Sequence, residues 1–356
     1  LKSEVRLLGV VAFHENIFST GIAEMKIAVF STQPYDREFL TKANAAAEHE
    51  LLFFDVQLNP QTVSLAVDCQ AVCCFVNDDV LAETLQKIHA IGIRLVLLRC
   101  SGFNNVDLPA AAALDVTILR VPAYSPHAVA EHTLALLLSL NRNIPRAWNR
   151  VREGDFRLQG LLGFDLFQKT VGVVGTGEIG RCVAEIFLGF GCHVLAYDPF
   201  PNEELLQRGV KYVPLTQLLQ ESRVITLHCP LMKETYHLIN SETLKLVQPD
   251  CLVINTGRGA LVEVQALIDA LKDRRIGGVA LDVYEEEASL FFRDHSEQAI
   301  PDDAFARLLT FPNVLITGHQ GFFTQEALTN IARTTLKNAT QFEGGTPDVK
   351  CVVKST

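Results

Sequence analysis

At 356 residues the chain exceeds what one hydrophobic core usually holds, so two domains are expected. An apolar share of 48% and a charged share of 20% fit an ordinary globular protein, and the net charge of -10 speaks against nucleic acid or an anionic membrane as a partner. Nine cysteines with no CxxC pair and no Cys/His cluster of zinc spacing read as small apolar fillers in a reducing compartment, which points to the cytoplasm and to no bound metal.

Residues 1–24 precede the regular pattern. Leu8 to Phe13 is apolar, yet too short, too lightly charged and without the small-residue cleavage site of a secretory leader, so 1–24 reads as an N-terminal extension before a start at Met25. From there, residues 26–30, 51–55, 71–75 and 95–98 are continuous apolar runs suited to strands buried on both faces. Helical stretches at 36–47 and 79–91 fall between them, and such alternation builds a parallel sheet.

Val121-Pro122-Ala123-Tyr124-Ser125-Pro126 breaks that rhythm. Ser125 is placed to cap a helix whose first residue is Pro126. Val129, Leu134, Leu137 and Leu138 make this helix apolar enough to be buried between two α/β units, with the last helix, 324–342, as its expected companion. Its longest apolar stretch, 134–140, is far too short to cross a bilayer.

Next comes Val171-Gly172-Val173-Val174-Gly175-Thr176-Gly177-Glu178-Ile179-Gly180, a β-branched run that ends in glycines of G-x-G-x-x-G spacing. Gly175 permits a tight turn, Gly177 lets backbone approach a pyrophosphate, and Gly180 lets the following helix sit close on the sheet. The free amides of that helix start, around Glu178 and Ile179, form an anion site. A second strand, 193–197, ends in Asp198, an acid suited to a ribose 2′-hydroxyl and hostile to the extra phosphate of NADP. NAD is therefore the expected cofactor.

Further strands at 223–228, 251–255, 279–283 and 314–317 each end in polar or small residues. Ligands of open parallel sheets bind beyond the carboxyl ends of strands, so His228-Cys229-Pro230, Asn255-Thr256-Gly257-Arg258, Asp282 and Thr317-Gly318-His319 should share one crevice. Arg258, between Gly257 and Gly259, is a bidentate clamp for a carboxylate that also polarises a neighbouring keto oxygen. His319 is suited to give a proton to a carbonyl oxygen that receives a hydride. Other histidines read as bland, including His127 and His132 on the junction helix, whose spacing does not share a face. Of Glu285, Glu286 and Glu287, one is expected beside His319 and two in a solvated loop; spacing does not choose among them.

With these motifs and Arg99-Cys100-Ser101-Gly102-Phe103-Asn104-Asn105-Val106-Asp107 in view, the chain from Met25 nearly to its end resembles a D-isomer-specific 2-hydroxyacid dehydrogenase. Gly318-His319-Gln320, Val121-Pro122-Ala123-Tyr124-Ser125 and Asp282-Val283-Tyr284-Glu285-Glu286-Glu287 are most similar to the fermentative D-lactate dehydrogenase branch. The resemblance implies an α/β fold of two Rossmann-like parallel-sheet domains with a cleft between them. The nucleotide domain, 124–323, is inserted in a substrate domain made of 25–123 plus 324–356. It also implies that Arg258 binds substrate, that His319 is the acid/base and that Glu287 is its partner. Amides around Ser101 and Gly102 would hold the substrate carboxylate, with Tyr124 and Phe322 nearby and Phe75 as a third pocket residue. Asp282 would lie near the nicotinamide, and His228, Cys229, Pro230, Thr256 and Gly257 would line the cofactor. The sequence departs from the common pattern at Cys100-Ser101 and at Gly257, where backbone rather than side chain is used. The implied reaction is reversible reduction of pyruvate to D-lactate by NADH in a homo-oligomer. A reductase of glyoxylate, hydroxypyruvate or a bulkier 2-keto acid, and an NAD-sensing corepressor-like binding module, are the alternatives.

Overall fold

The computed structural model describes residues 24–354; of the expected extension, residues 1–23 lie outside the described residues. The chain opens with β1 (Lys26–Val29), α1 (Pro34–Asn44), β2 (Glu50–Phe53), β3 (Ala71–Cys74), α2 (Ala82–Ala90), β4 (Leu95–Leu98), α3 (Leu108–Ala113) and β5 (Thr117–Arg120). These strands form an all-parallel sheet in the order β2-β1-β3-β4-β5. Alternate strand residues serve opposite faces. Ala28, Val72, Cys74, Val96 and Leu98 pack under α2 and α3, while Ile27, Val29, Cys73, Leu95 and Leu97 pack under α1 and the last helix. Burial on both sides, at roughly 1.5–3 kcal/mol per large aliphatic side chain, is why these strands read as unbroken apolar runs.

The linking helix α4 (Pro126–Asn141) is capped by Ser125, whose side chain accepts from the Ala128 amide at 3.2 Å. After it come α5 (Ile144–Arg152), β6 (Thr170–Val174), α6 (Glu178–Gly189), β7 (His193–Tyr197), α7 (Glu203–Gln207), β8 (Lys211–Tyr212), α8 (Leu215–Glu221), β9 (Val224–Leu227), β10 (Leu252–Asn255), α9 (Val264–Lys272), β11 (Gly278–Leu281), α10 (Asp303–Leu309) and β12 (Val314–Ile316). This second sheet is also parallel, in the order β12-β11-β10-β9-β6-β7-β8. Its order reverses between β6 and β9, which opens a crevice at the carboxyl ends of those strands.

The chain then returns through α11 (Gln325–Glu343) to the first sheet, and Val352 in the tail pairs antiparallel with Leu119 on edge strand β5. One expectation is corrected. The junction helix α4 packs chiefly on α6, β10 and β11, whereas α11 packs on α1 and the first sheet. An apolar sequence shows that a helix is buried, not which neighbour buries it.

Candidate active site

The carboxyl ends of both sheets face a cavity of about 580 Å³. Phe75, Ser101, Gly102 and Tyr124 line it from the first sheet's side, and Ile179, Cys229, Thr256, Arg258, His319 and Phe322 are among the residues on the other. The strand ends singled out in the sequence therefore do converge.

Arg258 follows β10 in extended conformation, and its Nη1 donates to the Gly257 carbonyl at 2.7 Å. The turn is braced by buried Asn255, which accepts from the Gly257 amide (3.0 Å) and donates to the Arg258 carbonyl (2.8 Å). The guanidinium lies directly against Gly102, where any side chain would collide with it. An arginine and a bare loop backbone thus meet at one point, and among the described residues Arg258 forms no ion pair. Arg120 holds that loop from behind, donating to the Ser101 carbonyl at 2.9 Å and stacking over Phe103. The Ser101 hydroxyl donates to the Pro122 carbonyl (3.1 Å), which leaves the backbone as what this loop presents.

His319 Nδ1 meets Glu287 Oε1 at 2.7 Å, while Glu287 Oε2 accepts from the Tyr284 amide at 3.0 Å. A carboxylate on Nδ1 fixes the proton there and makes Nε2 the nitrogen available for exchange on the cavity side. The other acids part ways: Glu285 pairs with His237 (2.8 Å) and accepts from the Tyr236 hydroxyl (3.2 Å), so it is not simply solvated.

Asp282 organises the His319 turn. Its backbone carbonyl accepts from the His319 amide (2.7 Å), and its carboxylate meets Thr317 (2.6 Å), His132 (3.1 Å) and the amides of Gln320 (2.9 Å) and Gly321 (2.8 Å). Burial would push this carboxyl up, but the donors outweigh it and hold it below the usual carboxylate range. His132, read as bland from its helix position, is one of those donors across the unit. A contact between residues 132 and 282 leaves no trace in local spacing.

At the other end of the cavity, Gly175 has φ +89° and sits against the Cys229 backbone, and a side chain on Gly180 would collide with the Gly175 carbonyl. At Gly177, the N-cap of α6, nothing lies within 4 Å of where a side chain would start. Asp198 accepts from the Thr176 amide (2.7 Å) and hydroxyl (3.1 Å) on one oxygen and from the Phe200 amide (2.9 Å) on the other. Tyr212 joins this cluster by donating to Thr176 Oγ1 at 2.9 Å. Thr256 is tied to Thr133 of α4 at 2.8 Å. His228 contacts Thr226 at 2.8 Å, and burial lowers its pKa to about 3, so it is neutral. Burial also pushes the Cys229 thiol up to about 11, leaving it protonated.

Residues 134–321 match the family model of the D-isomer specific 2-hydroxyacid dehydrogenase, NAD binding domain. The chain belongs to the D-isomer specific 2-hydroxyacid dehydrogenases. It is 49% identical over 321 residues to the D-lactate dehydrogenase of Escherichia coli, a match covering 90% of this chain and 98% of that one. The apo structure of that enzyme superposes with a TM-score of 0.84 at 46% identity, covering 92% and 99% of the two chains. The pyruvate reductase of Chlamydomonas reinhardtii gives a TM-score of 0.86 at 41% identity, covering 92% and 98%.

The NAD of this dehydrogenase family fits the residues present. The approach is open at Gly177 and closed at Gly175 and Gly180, as a backbone cradle for a pyrophosphate requires, and the amides of the twelve-residue α6 begin there. In this dehydrogenase the supporting residues His132, Thr133, Arg120 and Tyr212 escaped sequence reasoning, because each acts through a partner distant in sequence or through backbone. Asn255, placed at the crevice as the end of its strand, is seen here to brace the Gly257–Arg258 turn.

Proposed function

We infer that the chain is an NAD-dependent D-lactate dehydrogenase that interconverts pyruvate and D-lactate. The observation that carries this reading is the His319–Glu287 pair, 2.7 Å apart, on the same cavity as Arg258. Residues 25–123 with 324–356 act as the substrate unit and 124–323 as the cofactor unit.

Arg258 and the amides at Ser101 and Gly102 bind the substrate carboxylate, and Arg258 draws charge onto the keto oxygen. Bound NADH supplies the hydride. His319 Nε2 protonates the keto oxygen as negative charge develops there, and Glu287 supports the imidazolium that must exist before the transfer. In the reverse direction the neutral imidazole takes the hydroxyl proton. Gly175, Gly177, Glu178, Ile179 and Gly180 cradle the dinucleotide, with Cys229, Pro230, His228, Thr256 and Gly257 along its path. Asp198 favours NAD over NADP by charge, and Asp282 serves the nicotinamide end by shaping the His319 turn.

Phe75, Phe322 and Tyr124 close the far end of the site. Phe75 and Phe322 are 5.9 Å apart, Tyr124 and Phe322 6.4 Å, a packed aromatic wall that suits a methyl group. Burial pushes the Tyr124 hydroxyl to about 12 against the pull of Arg258, so it acts as a neutral donor.

A second copy of the chain is the partner we assign to α5. No residue of this helix is buried, and Trp148 on it (59%), with Phe156 (73%) and Leu162 (94%) in the segment that follows, are all exposed. No helix among the described residues is long and apolar enough to cross a membrane. All nine cysteines are free, which suits the cytoplasm.

Comparing kcat/KM for pyruvate, glyoxylate, hydroxypyruvate and branched 2-keto acids tests the assignment. Pyruvate should lead; a strong preference for branched acids would replace it, and no NADH oxidation with any of them would favour a binding module.

A further inference from the structure

Between Glu287 and the helix α10 the chain crosses the cleft. Arg293 Nη2 donates to Gln57 Oε1 on the first sheet's side at 2.8 Å. Beside it, the Phe292 ring meets Phe75 edge to face, with centroids 5.1 Å apart at 75°. The same ring lies 6.0 Å from the His319 imidazole at 40°. Phe292 thus packs at once against the apolar core under the nucleotide sheet and against the cluster of Phe75, Val121, Phe322, Leu328 and Ile331 between the two sheets. Its backbone has φ +62°, a left-handed conformation that a bulky residue keeps only where its surroundings hold it.

The hydrogen bond to Glu287 fixes one ring atom of His319 but leaves the imidazole free to rock about that contact. Its faces and edges must be held by packing. Phe322, 6.5 Å away at 79°, belongs to the same turn as His319 and moves with it. Phe292 arrives from another segment and also touches Phe75 across the cleft.

We propose that Phe292 is a positioning residue for proton transfer: its ring sets the plane of the His319 imidazole and ties that plane to the arrangement of the two sheets across the cleft. Phe75 is the surface it packs against, and the Arg293–Gln57 hydrogen bond pins the segment in place. This rests on the reading of His319 as the acid.

The test uses the full chain with Phe292→Ala, Phe292→Leu and Phe292→Tyr. For the first two, kcat with pyruvate should fall about tenfold or more, while NADH affinity by fluorescence quenching stays within about twofold; the melting temperature should drop by a few degrees in Phe292→Ala and less in Phe292→Leu, because the ring leaves two apolar clusters. The solvent isotope effect on kcat should rise, because proton transfer becomes limiting, a readout that loss of packing alone would not move. Phe292→Tyr should restore kcat to within about threefold. Parental kcat and isotope effect in Phe292→Ala would overturn the proposal, as would a fall in kcat, NADH affinity and melting temperature together that Phe292→Tyr does not rescue. Failure of the underlying assignment shows separately, as no turnover of any 2-keto acid by the unsubstituted protein.

Discussion

His319 and His228 stand on the same cavity, and their surroundings give them opposite chemistry. A carboxylate at 2.7 Å holds His319 Nδ1 and orients the ring, whereas His228 has only a hydroxyl beside it and is kept neutral by burial. His319→Ala should therefore lower turnover by roughly 10²–10⁴-fold while NADH quenching titrations change little; an equally active variant would remove His319 from the reaction. His228 makes stability pH-dependent with a definite sign. Its folded value of about 3 lies below the ordinary 6.5, so the unfolded chain binds the extra proton between those limits. The stabilisation is fully present above pH 6.5 and is lost as the pH falls toward 3. Urea melts at pH 7, 5.5 and 4.5 should show that slope flattened in His228→Gln, and identical slopes would show that the ring is not buried neutral. Arg258 and His319 were legible because each follows a strand that points at the ligand edge. Glu287 was not separable from Glu285 by spacing, since both belong to one acidic run whose turn sends one to His319 and the other to His237.

The glycine loop between β6 and α6 shows what element-level reading captures. The conformation of Gly175 and the close packing at Gly180 were readable from the motif, because each glycine answers a steric demand that any other residue fails. Gly180→Ala places a methyl group on the Gly175 carbonyl, so a loss of roughly 1–3 kcal/mol in stability and a weaker NADH affinity are expected. Thermal melts with and without NADH measure both, and unchanged values would mean the helix can shift away. The long two-faced strands were likewise visible, with ends displaced by a residue or so. β5, with Thr117 and Arg120 at its ends, and the two-residue β8 lacked a continuous apolar run and were missed. α5 was missed although Ile144, Trp148 and Val151 recur at i, i+4 and i+7, the spacing of an amphipathic helix; what the sequence does not show is that this stripe stays exposed.

At the scale of the whole molecule, two parallel sheets present their carboxyl ends to one cleft, and neither sheet alone carries the chemistry. The first contributes a bare backbone at Gly102, the second an arginine and an imidazole, and a side chain at Gly102 would displace the Arg258 guanidinium from where it now lies. The proposed assembly through the exposed apolar residues of α5 is testable. Trp148→Glu should lower the mass seen by sedimentation, and a mass equal to that of the parent would place the contact elsewhere. The most direct test of the central claim is to follow NADH oxidation with pyruvate and analyse the product on a chiral column. D-lactate formed in equal amount to the NADH consumed is the expected result; L-lactate, or no lactate, would contradict it.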